Sequence, residues 1–174
     1  MFKFNGTHAT DPSLGIFKQT IRTIFPLLPG TTDYTLDIVG YHGSLDQGYT
    51  YQPRIIRVQF LIRRSTADEL FEYARTVAAW LNTPEAKPFI FDREPDKFYM
   101  ARPQGGAPLD RILYNAGYCD ISFIVPEPWA FALEAATESA IGSIEGENSG
   151  TLPCPAVIEA TMKEAASSLT LALD

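Results

Sequence analysis

The chain has no excess of positive charge. Its 174 residues carry 14 Lys and Arg against 21 Asp and Glu, a formal net charge of −7. Nucleic-acid binders draw most of their affinity from neutralising phosphates, so this balance repels DNA over the molecule as a whole. The one local cluster of basic residues is Arg54, Arg57, Arg63 and Arg64. On an extended segment Arg57 and Arg63 share a face while Arg54 and Arg64 point to the other, as in a solvated or subunit-facing strand. Long apolar runs are absent too, and crossing a bilayer needs roughly 20 such residues in a row. The opening Met1-Phe2-Lys3-Phe4-Asn5-Gly6 alternates and then turns, unlike a signal peptide, which places folding in a cytoplasm. Only two cysteines occur, Cys119 and Cys154, without metal-site spacing or a disulfide framework, so reduced thiols packed as small apolar groups are expected. No phosphate-cradling glycine motif, dinucleotide fingerprint or Gly-x-Ser-x-Gly elbow is present, and no cofactor is implied.

What is present is an ordinary globular composition, 45% hydrophobic and 20% charged, sufficient for one packed domain or one domain with part of another. The clearest element is a strand over Arg54–Arg63. Ile56, Val58, Phe60 and Ile62 fall on one face, with Ile55, Arg57, Gln59, Leu61 and Arg63 on the other. A helix follows at once. Thr66 is an N-cap, Glu69 stands at the capping-box position, and Leu70, Tyr73, Ala74, Val77 and Leu81 recur at three and four residues until Asn82-Thr83-Pro84 ends the run. Burying Leu70, Val77 and Leu81 contributes on the order of 5–9 kcal/mol before entropy is subtracted.

Shorter strands are expected at residues 20–25, 34–39, 88–91, 98–102, 112–114 and 118–125, with Glu94-Pro95-Asp96 as a turn and residues 102–108 as a flexible connection. Residues 115–117 read as a hairpin loop, and 40–53 as a loop rich in glycine and tyrosine. Many short strands with one helix describe a mainly β fold, an antiparallel sandwich or curved sheet carrying a single helix. Residues 130–140 read as a weak helix or an extended exit. The expected organisation is a domain over 1–141, a linker over 142–150, and 151–174 as the incomplete start of a second β-domain, with a strand pair at 156–160 and 169–173.

Catalytic constellations are few. Asp92, Glu94 and Asp96 have the residue types for glycoside hydrolysis or calcium binding, but Pro95 interrupts them and Arg93 and Lys97 flank them, which suits a charged turn. His42 with Asp46 and Ser44 has the residue types of a hydrolytic triad, a reading that only geometry decides. The plainer reading makes His8 and His42 solvent-facing loop residues. Trp80 and Trp129, which a carbohydrate-binding cleft would expose, read as packing residues. Neither catalytic nor metal-binding residues are therefore assigned, and the expectation is a protein without enzymatic turnover. The tyrosines are a stronger signal, because an apolar ring with a polar tip suits an interface. Tyr41, Tyr49 and Tyr51, with Arg54, Arg57 and Arg63, are the candidate subunit contacts.

Several stretches taken in order carry a resemblance. They are Phe2-Lys3-Phe4-Asn5-Gly6; Tyr51-Gln52-Pro53-Arg54-Ile55-Ile56-Arg57-Val58; the helix from Leu70 to Leu81; Phe89-Ile90-Phe91-Asp92-Arg93-Glu94-Pro95-Asp96-Lys97-Phe98-Tyr99; and Tyr118-Cys119-Asp120-Ile121-Ser122-Phe123-Ile124-Val125-Pro126-Glu127-Pro128-Trp129. Over roughly residues 1–135 this order resembles the N-terminal domain of siphophage distal tail proteins, the Dit family. Residues 148–151 and 155–158 echo the entry to that family's second, galectin-like sandwich. The family's second domain is far longer than what remains here, so its carbohydrate-binding roles do not carry over.

The resemblance implies a structural protein of the virion tail, made in the host cytoplasm from a phage or prophage gene. It further implies a homohexameric ring between a tail tube protein and a tail hub or tip protein, with a channel through which DNA passes unbound and with no membrane partner. The acidic net charge suits such a channel. A free carbohydrate-binding sandwich and a cell-wall glycosidase using Asp92 and Glu94 are the competing readings.

Overall fold

The computed structural model describes residues 1–134, 137, 139, 147, 148, 150, 151, 153 and 157–159. The chain divides into two units, Met1–Ala135 and Ala136–Asp174. The first contains all the regular structure described below.

It opens with β1 (Phe2–Phe4) and β2 (Thr7–His8), then a short 3-10 turn at Lys18–Thr20, β3 (Arg22–Ile24), β4 (Thr31–Asp37), β5 (Ser44–Tyr51) and β6 (Arg54–Arg63). The helix α1 spans Ala67–Leu81, followed by β7 (Lys87–Phe91), β8 (Glu94–Gln104), β9 (Leu109–Leu113), β10 (Ala116–Val125) and β11 (Phe131–Ala132). Antiparallel pairing runs β2-β1-β7-β8-β10-β6-β3, with β9 added on β10 and β11 on β8, while β4 and β5 pair only with each other. The fold is mainly β with one helix, as expected.

The alternation in β6 and β10 builds the core. Ile56, Val58, Phe60 and Ile62 turn inward, and β6 pairs with β10 over ten residues, from Val125 opposite Arg54 to Ala116 opposite Arg63. At about 3.3 Å per residue this ladder is about 33 Å long. From the other side Phe2, Phe4 and Phe89 meet Phe123, with ring centroids 6.4, 5.0 and 5.3 Å from it. The helix closes this core with Leu70, Val77 and Leu81. Thr66 Oγ1 accepts from the Glu69 N–H, and Glu69 Oε2 accepts from the Ser65 N–H, so the capping box forms with its return bond one residue early. Trp80 Nε1 donates to the Phe4 carbonyl at 3.1 Å, fixing the helix to β1.

Several boundaries differ from expectation. The turn between β7 and β8 is Asp92-Arg93, not residues 94–96, because Phe91 pairs with Glu94. Phe89 pairs next with Tyr99, so β8 carries three more residues than β7 over that interval. Pro95 sits in the resulting bulge, where its missing N–H costs no ladder bond. Strand β8 then continues to Gln104, through part of the expected flexible connection, because its second half pairs with β10. The largest difference lies at residues 40–53. Ser44–Tyr51 is a strand, and the tyrosine-rich segment is half of a hairpin rather than a loop. Residues 131–132 are extended. The strand pair expected at 156–160 and 169–173 lies outside the described residues, apart from 157–159, which have no regular structure. Cys154 also lies outside them.

Candidate functional site

The hairpin β4–β5, here called the arm, is the feature that the core does not explain. Every residue of β4 is exposed, and so is every residue of β5 except the half-buried Gly48. A ribbon exposed on both faces is not packed on the body, and a two-stranded hairpin by itself is marginal in water. Its base is held where Tyr51 meets Trp129 edge to face at 4.9 Å and where the Gln52 N–H donates to the Gly30 carbonyl at 2.7 Å.

The arm has two chemically different faces, created by one glycine. Asp33 pairs with Tyr49 and Thr35 with Asp46, two steps on β4 against three on β5. The extra residue falls beside Gly48, whose φ of +93° is a region L side chains rarely adopt, and Asp46 Oδ1 accepts the Gly48 N–H at 2.8 Å. This shift sets Leu45 directly opposite Leu36, on the face that also carries Tyr34 and Thr50, whose hydroxyls lie 3.2 Å apart. Asp33, Asp37 and Asp46 lie on the other face, with Tyr49 and Tyr51 joined hydroxyl to hydroxyl at 3.1 Å. That hydrogen bond raises the Tyr51 pKa above the ordinary phenol value. Tyr41 is exposed in the turn.

The arginines separate by parity. Arg57 and Arg63 are exposed, whereas Arg54 is only 8% exposed, with its guanidinium carbon 4.7 Å from the Phe25 ring centroid and 5.9 Å from that of Tyr99. Arg57 is tied across the ladder to Asp120, its Nε donating to Oδ1 at 2.7 Å and its Nη2 to Oδ2, with Gln59 Nε2 donating to the same carboxylate. The Arg57 and Gln59 hydrogen bonds hold the Asp120 carboxyl below its ordinary value, and Asp120 raises Arg57 in turn. Arg64 stacks on Tyr73, its guanidinium carbon 3.6 Å from the ring centroid.

The residues weighed for chemistry are engaged elsewhere. His8 is not a solvent-facing loop residue. It stands on β2 with Nε2 3.0 and 3.1 Å from the two Asp92 oxygens, Nδ1 accepts the Thr10 N–H, and Thr10 Oγ1 lies 2.6 Å from Nδ1. Pairing of β1 with β7 brings these residues together across 84 positions, which sequence spacing does not show. The Met1 ammonium also lies 4.0 Å from Asp92. Glu94 and Asp96 are exposed at the start of β8. Ser44 Oγ donates to Asp37 and Asp46 binds the Gly48 backbone, so these two residues of the His42, Ser44 and Asp46 set are held by other partners, while His42 is exposed. Among the described residues, no group of three or more His, Cys, Asp and Glu could hold a metal ion, and no helix is long and apolar enough to cross a membrane. Cys119 is buried, and burial pushes its thiol up to about 11.

Comparison with known proteins agrees with this architecture. A family model described as the phage tail protein RIFT-related domain matches residues 13–125. No curated protein sequence matches the chain. Among solved structures, the chain is similar to the Dit protein (gp 19.1) of phage SPP1, described as a paradigm of the hub adsorption apparatus in phages infecting Gram-positive bacteria. The TM-score is 0.62 at 16% identity, over 75% of this chain and 51% of that one. The chain thus spans about half the length of that protein, and the likeness is one of fold. With its matched region covering most of the β-rich unit, the chain belongs to the phage tail protein RIFT-related domain family.

Proposed function

We propose that this chain is the ring-forming subunit of the distal tail, assembling as a homohexamer that joins the tail tube to the hub or tip carrying host recognition. It acts without turnover, leaving a channel through which DNA passes unbound. The observation that carries this reading is the arm, a ribbon exposed on both faces and rooted in a tightly packed body within a family of tail proteins. Apolar groups so exposed are stabilised by a partner, and in a ring each copy supplies the next one's partner. Tyr41, Tyr49 and Tyr51 on the arm, with Arg57 and Arg63 on the outer face of β6, are the residues proposed to meet it. Arg54 contributes from inside, by packing beside the root of the arm. The acidic balance of the chain disfavours retention of DNA in the channel.

Size exclusion coupled to light scattering gives a hexamer mass on this reading. Reversing the charge of Arg57 and Arg63 together, or deleting residues 43–48, lowers that mass while the helical circular dichroism is kept. A protein that stays monomeric at all concentrations, and with its tail partners added, would refute it.

A further inference from the structure

Strands β8 and β9 pair in turn along one edge of β10. Arg102, Pro103 and Gln104 face Ile124, Phe123 and Ser122, and Leu109 resumes the ladder opposite Cys119. Two residues of β10, Asp120 and Ile121, are therefore spanned by four, Gly105-Gly106-Ala107-Pro108. A regular strand would use two residues there, so this link leaves the ladder. Gly105 has φ of +74°, and a Cβ on either glycine would meet open space, so nothing braces the link on that side. The far end of β9 is pinned instead. The Arg64 N–H donates to the Asn115 carbonyl at 2.9 Å, and Asn115 Nδ2 donates to the Arg64 carbonyl at 2.7 Å.

Between a loose end and a pinned one, β9 is secured by its ladder to β10 and by one side chain. Asp110, Arg111, Ile112 and Leu113 are exposed, and Leu109 alone packs on the core. It fills the space left by Gly117, where a Cβ would lie 2.5 Å from Leu109 Cδ1. The exposed approach of Arg111 to the Phe71 ring, 5.8 Å, adds little. Beneath Ala107 and Leu109 lies a cavity of about 60 Å³, bordered by Ala74 and Ala78 of the helix and by Cys119 and Ile121 of β10. A void gives the atoms above it no contacts on that side, so Leu109 is held less firmly than a close-packed core residue. We infer that β9 and the link before it form a strap that lifts off the body as a unit, peeling from the Leu109 end and pivoting at Asn115, while the rest of the fold stays closed. Lifting breaks one edge ladder, uncovers the cavity and the Cys119 thiol, and carries the exposed Ile112, Leu113 and Tyr114 with it. Strand β10 keeps its place, because its other edge remains paired with β6 over ten residues. Opening short of global unfolding belongs to elements held by few apolar contacts at an exposed edge. The motion is that of a single copy and needs no ring.

Cys119 reports the motion on the full chain, with Cys154→Ser as the background so that a single thiol is read. Its reaction with dithiobis-nitrobenzoate is expected to be nearly independent of urea at low concentration and to join the slope of global unfolding only at high concentration. Leu109→Ala should raise the low-urea rate about tenfold or more. Ile56→Ala, in the core toward the other end of β6, should leave that rate unchanged and move only the global limb. Hydrogen exchange of the β9 amides that face β10 should rise with the Leu109→Ala labelling rate, while β10 amides that face β6 stay protected. A labelling rate that follows the global urea slope throughout overturns the strap, because Cys119 is then reached only from the unfolded chain. An unchanged rate in Leu109→Ala also overturns it. So does a faster thiol with β9 exchange unchanged, since the enlarged void alone has then exposed the sulfur.

Discussion

Arg54 lies inside the protein with no ion pair among the described residues. Its Nε is buried without a hydrogen-bond partner, and its guanidinium rests on the rings of Phe25 and Tyr99. A buried cation held mainly by aromatic faces is stabilised by cation–π contact and by packing of its alkyl stem, against a desolvation cost of several kcal/mol. Replacing it with an apolar side chain of similar reach removes both terms. Arg54→Met should therefore keep stability within about 1 kcal/mol or raise it, whereas Arg54→Ala should lose roughly 2 kcal/mol or more through the void; urea denaturation of the two variants makes the comparison. Asp120 is the opposite case, a carboxylate whose charged form is preferred in the fold. Its pKa is lowered by Arg57 first and Gln59 second, so its contribution is present above the unfolded value of about 3.9 and is lost as pH falls through the lower folded value. Asp120→Asn should flatten the fall of stability with pH below about 4. An unchanged acid limb in pH-dependent unfolding would rule the pair out as a contributor.

On the proposed reading the element that governs assembly is the arm, and its chemistry depends on one backbone conformation. Gly48, with φ of +93°, allows the extra residue of β5, which brings Leu45 to the face of Leu36. A Cβ at Gly48 meets open space, so Gly48→Ala acts through the backbone alone, at a cost of about 1 kcal/mol. In an isolated ribbon that is enough to shift the pairing, and a one-residue slip exchanges the faces. Chemical shifts of residues 31–51 should move while those of β6, β10 and the helix stay in place, because β4 and β5 pair only with each other. Assembly should weaken in parallel. Shifts spreading through the core would show instead that the arm and the body fold as one cooperative unit.

For the whole molecule, charge and apolar surface have separate tasks. The net charge of −7 makes copies repel at long range. Salt screens beyond about 10 Å at 0.1 M and leaves short apolar contacts in place. Association followed by stopped-flow scattering should therefore speed up as salt rises from 50 to 500 mM, by roughly tenfold or less, as the repulsion between copies is screened. Dissociation should change little. A dissociation rate that rises with salt, with association slowing, would assign the contact to ion pairs rather than to apolar side chains such as Leu36 and Leu45.

Local pattern determined much of this protein. The alternation of Ile56, Val58, Phe60 and Ile62, the capping box at Thr66 and Glu69 and the stripe ending at Leu81 each follow from neighbours within a few residues, and each stands where period and cap place it. The order of those elements also carried the family resemblance. Tertiary structure decided what depends on distant partners. The His8–Asp92 pair and the Arg57–Asp120 pair join residues 84 and 63 positions apart, and only strand pairing sets those distances. Residues 44–51 read as a loop because glycine and aspartate mark turns, yet pairing with β4 makes them a strand in which Gly48 forms a bulge. The tyrosines marked the arm from composition alone, but which residues share a face came from that bulge, which only the pairing of β5 with β4 creates.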